Sequence, residues 1–309
     1  MRILKIPALF SVIFAFFLLI AAPLAAEDGL RCTVSCKTDT DTPIVGMEFR
    51  IYRVASVAED LSFAPTKEFA DYAVVLNDLN AAETKATAET LAAYVARDKI
   101  MPLDRNVTDA NGNAEFPKTV AELEQGLYLI IGSTAETDGK RYFAEPILIA
   151  LPYQEPDDDA WLYDVMVFPK ISEGTLTDHL SVVKIWKDNN ASSRPKKVEV
   201  QLLKDGEVYD TQTLNAENNW RYTWNSLSPD CDWQIVEKEV PANYTVLIGR
   251  EGNTVSVTNT AQSGGGKDPS SGNSGGKLPQ TGMLWWPIPI LAIAGMVLLL
   301  LGMIRRRGE

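Results

Sequence analysis

Alternating apolar and polar residues predict that most of the chain forms β-strands. The first two strands lie within residues 29–56, where every second side chain is apolar at Cys32, Val34, Cys36, Met47, Phe49 and Ile51. A period of two places such side chains on one face of each strand. A turn is expected between the two strands, at residues 43–46, which begin with proline and end with glycine.

The period changes from two to 3.6 at residues 81–98, which are rich in alanine. Leu91, Tyr94 and Val95 would share one face of a helix there. We therefore predict one helix within an otherwise β-rich first part of the chain.

Short strands separated by turn signals continue to residue 260. They are predicted at residues 126–132, within 142–169, and at 181–187, 197–204, 220–224, 232–240, 244–248 and 254–259. Turn signals include Asn111-Gly112, Asn189-Asn190 and Lys204-Asp205-Gly206. The pattern predicts a β-sandwich with a helical excursion over residues 27–170, a short connector, and a small antiparallel sandwich over residues 179–260.

Both ends of the chain differ from this pattern. Basic residues, an apolar run and small residues at positions 1–26 predict a secretory signal peptide. Residues 261–277 form a Gly/Ser linker, and residues 278–309 follow it. Within them, residues 283–304 carry no charge and are long enough to span a bilayer, and the basic residues 305–307 would keep the tail in the cytoplasm.

Charge and cysteine content exclude several kinds of partner and scaffold. A net charge of −12 argues against nucleic acid and anionic membrane surfaces as partners. Cys32 and Cys36 would lie roughly 13 Å apart on one strand, too far for a disulfide. With Cys231 in the other domain, we expect three small, unpaired cysteines.

Candidate catalytic residues are scarce, so we expect a structural protein rather than an enzyme. The only histidine, His179, falls at the predicted connector. No catalytic triad, metal-ligand cluster or phosphate-binding glycine loop is present in the sequence. The acidic run at residues 157–159 lacks the EF-hand pattern and is interpreted as a solvated loop. We expect no metal and no cofactor.

Three polar residues share the parity of apolar neighbours in the second domain. Lys184 alternates with Val182, Glu237 with Ile235, and Asn259 follows the same period in the last strand. A lone buried lysine or glutamate would be costly, so their coexistence suggests mutual compensation.

Residues near the C-terminus resemble the cell-wall sorting signal of Gram-positive surface proteins. The motif consists of Leu278, Pro279, Gln280, Thr281 and Gly282, and an apolar span and basic residues follow it. The resemblance implies that a membrane sortase cuts between Thr281 and Gly282, holds the chain as an acyl-enzyme and passes it to an amine. It also implies a secreted protein anchored covalently to peptidoglycan.

Residues 180–260 resemble the Cna B-type domain, an immunoglobulin-like sandwich, through LSVVKIWKDNN, ENNWRYTW and IVEKEVPANY. The resemblance implies an isopeptide bond between Lys184 and Asn259, promoted by Glu237. Burial would lower the pKa of the amine and raise that of the carboxyl, which suits this chemistry. The alternative is that Lys184 extends to solvent and only pairs with Glu237.

The segment WLYDVMVFPK resembles the pilin motif of sortase-assembled backbone pilins. The matching residues are Trp161, Val165, Val167, Phe168, Pro169 and Lys170, with phenylalanine in place of the usual tyrosine. Strand parity places Lys170 off the core face. The resemblance implies that its amine attacks the Thr281 acyl-enzyme of another subunit. The alternative is a solvated lysine at a strand end.

The first domain resembles a pilin N-terminal domain through KTDTDTPIVGMEFRIYRVA, TDANGNAEF and GLYLI. Gly132 stands where a related motif would place glutamate, and Lys37 falls on the polar parity of its strand. We therefore predict no isopeptide bond in this domain, although its fold should also be an immunoglobulin-like sandwich.

Together these resemblances imply a wall-anchored pilus backbone subunit. Its partners would be sortase, peptidoglycan, other pilin subunits and a possible host or matrix ligand. The alternative is a monomeric or pilus-tip adhesin held by the same sorting signal.

Overall fold

The computed structural model describes residues 29–154, 160–173, 178–189, 192, 194–228 and 230–262. The predicted signal peptide, the acidic run, most of the linker, the sorting motif and the predicted membrane span lie outside these residues. Within the described part of the chain, no helix has the length and apolar character needed to cross a membrane.

Residues 29–173 form thirteen strands and one helix among the described residues. In chain order these are β1 (Arg31–Ser35), β2 (Glu48–Val57), β3 (Phe63–Pro65), α1 (Ala81–Asp98), β4 (Asp104–Val107), β5 (Asn113–Phe116), β6 (Gly126–Gly132), β7 (Ala135–Thr137), β8 (Lys140–Ala144), β9 (Ile147–Leu151), β10 (Tyr153–Gln154), β11 (Trp161–Leu162), β12 (Asp164–Val167) and β13 (Ile171–Glu173). Mainly β structure with one helix was predicted, and this is confirmed.

Two sheets of the first domain enclose its main core. One has the strand order β12-β1-β5, and the other has the order β3-β2-β6-β9 with β4 also paired to β2. Strands β1 and β2 therefore lie in different sheets. The turn between them passes through Gly46 at φ +83°, a conformation that glycine adopts without strain. The predicted inward residues of both strands, from Cys32 to Ile51, are buried in this core.

The sheet containing β2, β6 and β9 is covered on both faces. Tyr128 and Ile130 face the main core, while Leu127 and Leu129 face a second core that includes α1. A strand buried on both faces is expected to be apolar throughout, as GLYLIIG is.

Helix α1 has the predicted bounds because both of its ends carry capping signals. The Asn80 side chain accepts a hydrogen bond from the Glu83 backbone, and the Glu83 side chain accepts one from the Asn80 backbone. The helix ends at Asp98, and the capping residue after it, Lys99, takes the left-handed conformation. Leu91 and Val95 pack on the first domain, whereas Ala93 and Tyr94 pack in the core of the second. The helix is thus shared by both domains.

The second domain consists of two sheets around one core. Its strands are β14 (His179–Lys187), β15 (Lys197–Lys204), β16 (Glu207–Asn215), β17 (Arg221–Asn225), β18 (Trp233–Glu237), β19 (Tyr244–Glu251) and β20 (Thr254–Ala261). The strand orders are β17-β14-β20-β19 and β16-β15-β18. The first and last strands, β14 and β20, run parallel side by side.

Besides the short strands β3, β4, β5 and β7, two further strands were not predicted. The first is β16, an edge strand on which Val208 and Tyr209 are exposed, so its sequence lacks a clear apolar face. The second is β13, which was predicted as connector. It pairs with β8, because backbone hydrogen bonding resumes beyond Pro169, at Lys170.

The Asn111-Gly112 turn joins strands of different sheets. Gly112 lies at φ +80°, and a Cβ built there would be 2.3 Å from the Cys36 carbonyl oxygen. The glycine is therefore required both by its conformation and by this close approach of two backbones.

We predict that Gly112→Ala lowers the free energy of unfolding by about 3 kcal/mol or more. Gly139→Ala is the matched control, because Gly139 has φ +72° but open space around its Cβ position. The control substitution should lower the free energy of unfolding by only about 1 kcal/mol. Chemical denaturation of both variants tests this, and equal losses would contradict it.

Candidate functional site

The structure brings Lys184, Glu237 and Asn259 together inside the second domain. Lys184 on β14 and Asn259 on β20 belong to neighbouring strands of one sheet, and Glu237 on β18 reaches them from the opposite sheet. All three residues are buried, as strand parity predicted.

The Glu237 carboxyl bridges the other two side chains. Its Oε1 accepts a hydrogen bond of 3.1 Å from Asn259 Nδ2, and its Oε2 lies 3.8 Å from Lys184 Nζ. Lys184 Nζ also donates to the Val257 carbonyl at 3.2 Å. Among the described residues, Glu237 Oε2 and Asn259 Oδ1 have no hydrogen-bond partner. These two buried oxygen atoms could therefore each accept a further hydrogen bond.

Burial is the main electrostatic influence on this pair. It lowers the pKa of Lys184, against the opposing charges of Glu237 and Asp188. It raises the pKa of Glu237, against Lys184 and the Asn259 hydrogen bond. Both shifts favour a neutral amine beside a protonated carboxyl, since low polarity disfavours charge.

Aromatic rings close the Lys184 end of the cluster. Lys184 Nζ lies 4.4 Å from the centre of the Trp186 ring. The edges of Trp220 and Tyr244 contact Trp186, with ring centres 5.4 and 5.2 Å away. The Tyr244 hydroxyl donates to Asp188 Oδ2 at 3.0 Å. The rings of Trp220 and Tyr244 come from distant parts of the chain, so strand parity could not place them beside Trp186.

The pilin-motif residues lie on β11, on the edge strand β12 and in the segment after it. Val165, Val167 and Pro169 are buried, Trp161 is partly buried, and Phe168 is 71% exposed. Lys170 is exposed as well. The alternation predicted for this segment is confirmed as a pattern of burial.

Lys170 belongs to a chain of charges that the sequence did not indicate. Its Nζ lies 2.9 Å from Glu145 Oε1, and Glu145 Oε2 lies 2.9 Å from Lys85 Nζ. Lys85 also pairs with Glu89 at 3.6 Å. Burial alone would raise the pKa of Glu145, but the two lysines lower it. Glu145 is therefore ionised, and its carboxylate binds the Lys170 ammonium group.

The other residues that the sequence analysis considered lie outside the buried cluster. Lys37 is exposed and pairs with Asp41 at 2.8 Å, and a side chain at Gly132 would meet Phe49. His179, expected at the connector, instead begins β14, where it is exposed and contacts Asp178. Across the residues that the structure describes, all three cysteines are free and no group of side chains could hold a metal ion.

Two family models match the chain. Residues 24–171 match the Gram-positive pilin subunit D1, N-terminal domain, and residues 180–260 match the Cna protein B-type domain. The chain belongs to the Gram-positive pilins. These are extracellular structural proteins of the cell surface, and the pilin carries its D1 and Cna B-type domains in tandem.

Similar proteins include an adhesin and further pilins. The collagen adhesin of Staphylococcus aureus is 33% identical over 85 residues, which are 27% of the pilin chain and only 7% of the adhesin. The full-length major pilin SpaD of Corynebacterium diphtheriae has 12% identity and a TM-score of 0.30, with 76% and 98% of the two chains covered. GBS52, the minor pilin of Streptococcus agalactiae, has 17% identity and a TM-score of 0.26, with 79% and 100% covered.

We predict that Lys184→Met makes the stability of the pilin fall with rising pH. Burial raises the Glu237 pKa above its ordinary 4.5, and the variant removes the lysine charge that opposes this. The folded state then holds a proton that the unfolded state releases, so stability is greatest near pH 4.5 and is lost as pH rises through the folded pKa.

Chemical denaturation at pH 5 and pH 8 should reveal a difference on the order of 2 kcal/mol in the Lys184→Met variant. The control is Lys184→Met/Glu237→Gln, whose stability should lack this dependence. The same pH slope in both proteins would contradict the assignment to Glu237.

Proposed function

We propose that the pilin is a shaft subunit, polymerised by sortase through Lys170 and Thr281 and stabilised by an isopeptide bond between Lys184 and Asn259. The observation that carries this proposal is the exposed Lys170 amine beside a motif whose alternate residues are fixed in the first-domain core. Both domains would be immunoglobulin-like sandwiches, and the precursor would be anchored through residues 278–309.

The proposed cross-link follows from the buried cluster. The neutral Lys184 amine attacks Cγ of Asn259 while Glu237 donates its proton to the side-chain oxygen. Glu237 next takes a proton from the Lys184 nitrogen and gives it to the departing nitrogen, and it regains its own proton from the oxygen as the carbonyl re-forms. A C–N bond to Lys184 forms, the C–N bond of the carboxamide breaks, and ammonia leaves. The 3.1 Å contact between Glu237 Oε1 and Asn259 Nδ2 supports the transfer of a proton to the departing nitrogen.

We predict that the purified pilin weighs less than its sequence mass by one ammonia. Glu237→Ala should have the full mass expected for its sequence, because no group then supplies the proton. Glu199→Ala is a suitable control, since Glu199 pairs with Lys238 at 2.7 Å on the surface of the same domain. Intact mass spectrometry decides this, and a wild-type protein of full mass would disprove the cross-link.

The proposed polymerisation joins two copies of the chain. Sortase cleaves after Thr281 and holds its carbonyl as an acyl-enzyme, and the Lys170 amine of another subunit attacks that carbonyl. The Lys170–Glu145 ion pair must open first, because an ammonium ion is not a nucleophile. Sortase would supply the base that takes the proton.

We predict that Lys170→Ala abolishes the high-mass ladder of covalent polymers in boiled cell-wall extracts. Lys140→Ala is the matched control, because Lys140 is an exposed lysine of the same domain that also pairs with a glutamate, Glu173 at 2.8 Å. The control should retain the ladder. A single monomer band in the wild type would overturn the shaft assignment and favour a wall-anchored adhesin instead.

A further inference from the structure

The first domain closes an open sheet edge of the second domain. Strand β19 is at the edge of its sheet, where alternate backbone N–H groups have no partner in another strand of the described chain. Three of them bind the first domain instead. Val246 N donates to the Ala73 carbonyl at 2.8 Å, Ile248 N to Thr90 Oγ1 at 2.7 Å, and Arg250 N to Glu89 Oε2 at 2.9 Å. Helix α1 and the segment before it therefore replace a missing strand.

The same helix also contacts the strand that carries Glu237. Strand β18 is the edge of the opposite sheet and, among the described strands, pairs only with β15. The Glu237 carbonyl accepts hydrogen bonds from the Tyr94 hydroxyl at 3.3 Å and from an Arg97 guanidinium nitrogen at 3.4 Å. Arg97 also donates to the Lys238 carbonyl at 3.3 Å. The backbone of Glu237 is thus held by donors from another domain.

The two donors are themselves fixed. The Tyr94 ring stacks on Tyr72 with centres 5.0 Å apart, and the Arg97 guanidinium lies 4.6 Å from the centre of the Tyr94 ring. Asp98 pairs with Arg97 at 2.7 Å and accepts a hydrogen bond of 2.7 Å from the Tyr72 hydroxyl. All of these contacts join residues of the first domain, so the positions of both donors are set by that domain.

We propose that Tyr94 and Arg97 of the first domain are positioning residues for cross-link formation in the second domain. They hold β18 by the Glu237 carbonyl, so that the carboxyl of the same residue lies between Lys184 and Asn259. The inference rests on the isopeptide bond proposed above. It adds that the bond forms in the docked two-domain unit, because proton transfer depends on sub-ångström placement of the carboxyl.

The test follows the rate of ammonia loss after synthesis. The full chain is made by cell-free synthesis in detergent, quenched in acid at intervals and analysed by intact mass. Tyr94→Phe/Arg97→Met, which removes both donors from the Glu237 carbonyl, should slow the reaction by about tenfold or more. Each single variant keeps one donor and should have an intermediate rate.

The matched control is Tyr128→Phe, which removes a buried hydroxyl that donates to the Glu124 carbonyl within the first domain. It should react at the wild-type rate. Thermal unfolding of each variant, in the Glu237→Ala background that cannot react, reports stability separately from reaction rate.

Each outcome bears on the inference. Slow reaction in the double variant with unchanged Tyr128→Phe supports it. Wild-type rates in the double variant overturn it, even if its melting temperature falls, because the helix then contributes stability alone. If the double variant does not fold, the two single variants give the same comparison. No ammonia loss in the wild type would refute the cross-link itself, a failure distinguishable from that of the positioning role.

Discussion

The burial of an amine and a carboxyl within 4 Å of each other is the constraint around which the second domain is built. Each group alone would be costly in the core, and neither can be removed without leaving the other unpaired. The surrounding strands supply the conditions that make the pair tolerable: one hydrogen bond from Asn259, one carbonyl from Val257 and an aromatic wall. Burial shifts the pKa values of both groups toward their neutral forms, and a neutral amine is the reactive form of lysine. Burial therefore explains both how the core accommodates these two groups and why the amine can react.

Much of this arrangement could be predicted from local sequence patterns. Strand parity gave the inward direction of Lys184, Glu237 and Asn259, because each sits in a strand with apolar residues two positions away. The change of period to 3.6 in an alanine-rich stretch gave the bounds of α1. Parity failed for β16, since an edge strand with both faces partly exposed needs no apolar period. Strand parity also could not reveal the ion pair between Glu145 and Lys170. That pair depends on the pairing of β8 with β13, which are distant in sequence.

The role of the helix was the largest feature hidden from the sequence. Its apolar face predicted only that the helix packs against another part of the protein, and the structure shows that it packs against both domains. Leu91 and Val95 face one domain, and Tyr94 faces the other. Thr90 and Glu89 would have been interpreted as ordinary polar helix residues, yet both accept backbone hydrogen bonds from β19. Contacts of this kind depend on the placement of a whole domain and leave no local signal.

The parallel pairing of β14 and β20 has a mechanical consequence. When the chain is pulled from its two ends, tension enters the second domain at the start of β14 and leaves at the end of β20. Because these strands are parallel neighbours, the two forces act in opposite directions along one ladder, which extends from Ser181 opposite Thr254 to Lys187 opposite Thr260. The hydrogen bonds of that ladder are loaded in shear and must break together, whereas an antiparallel pair pulled from one end would open one bond at a time. The topology thus suits a molecule that bears load along its length.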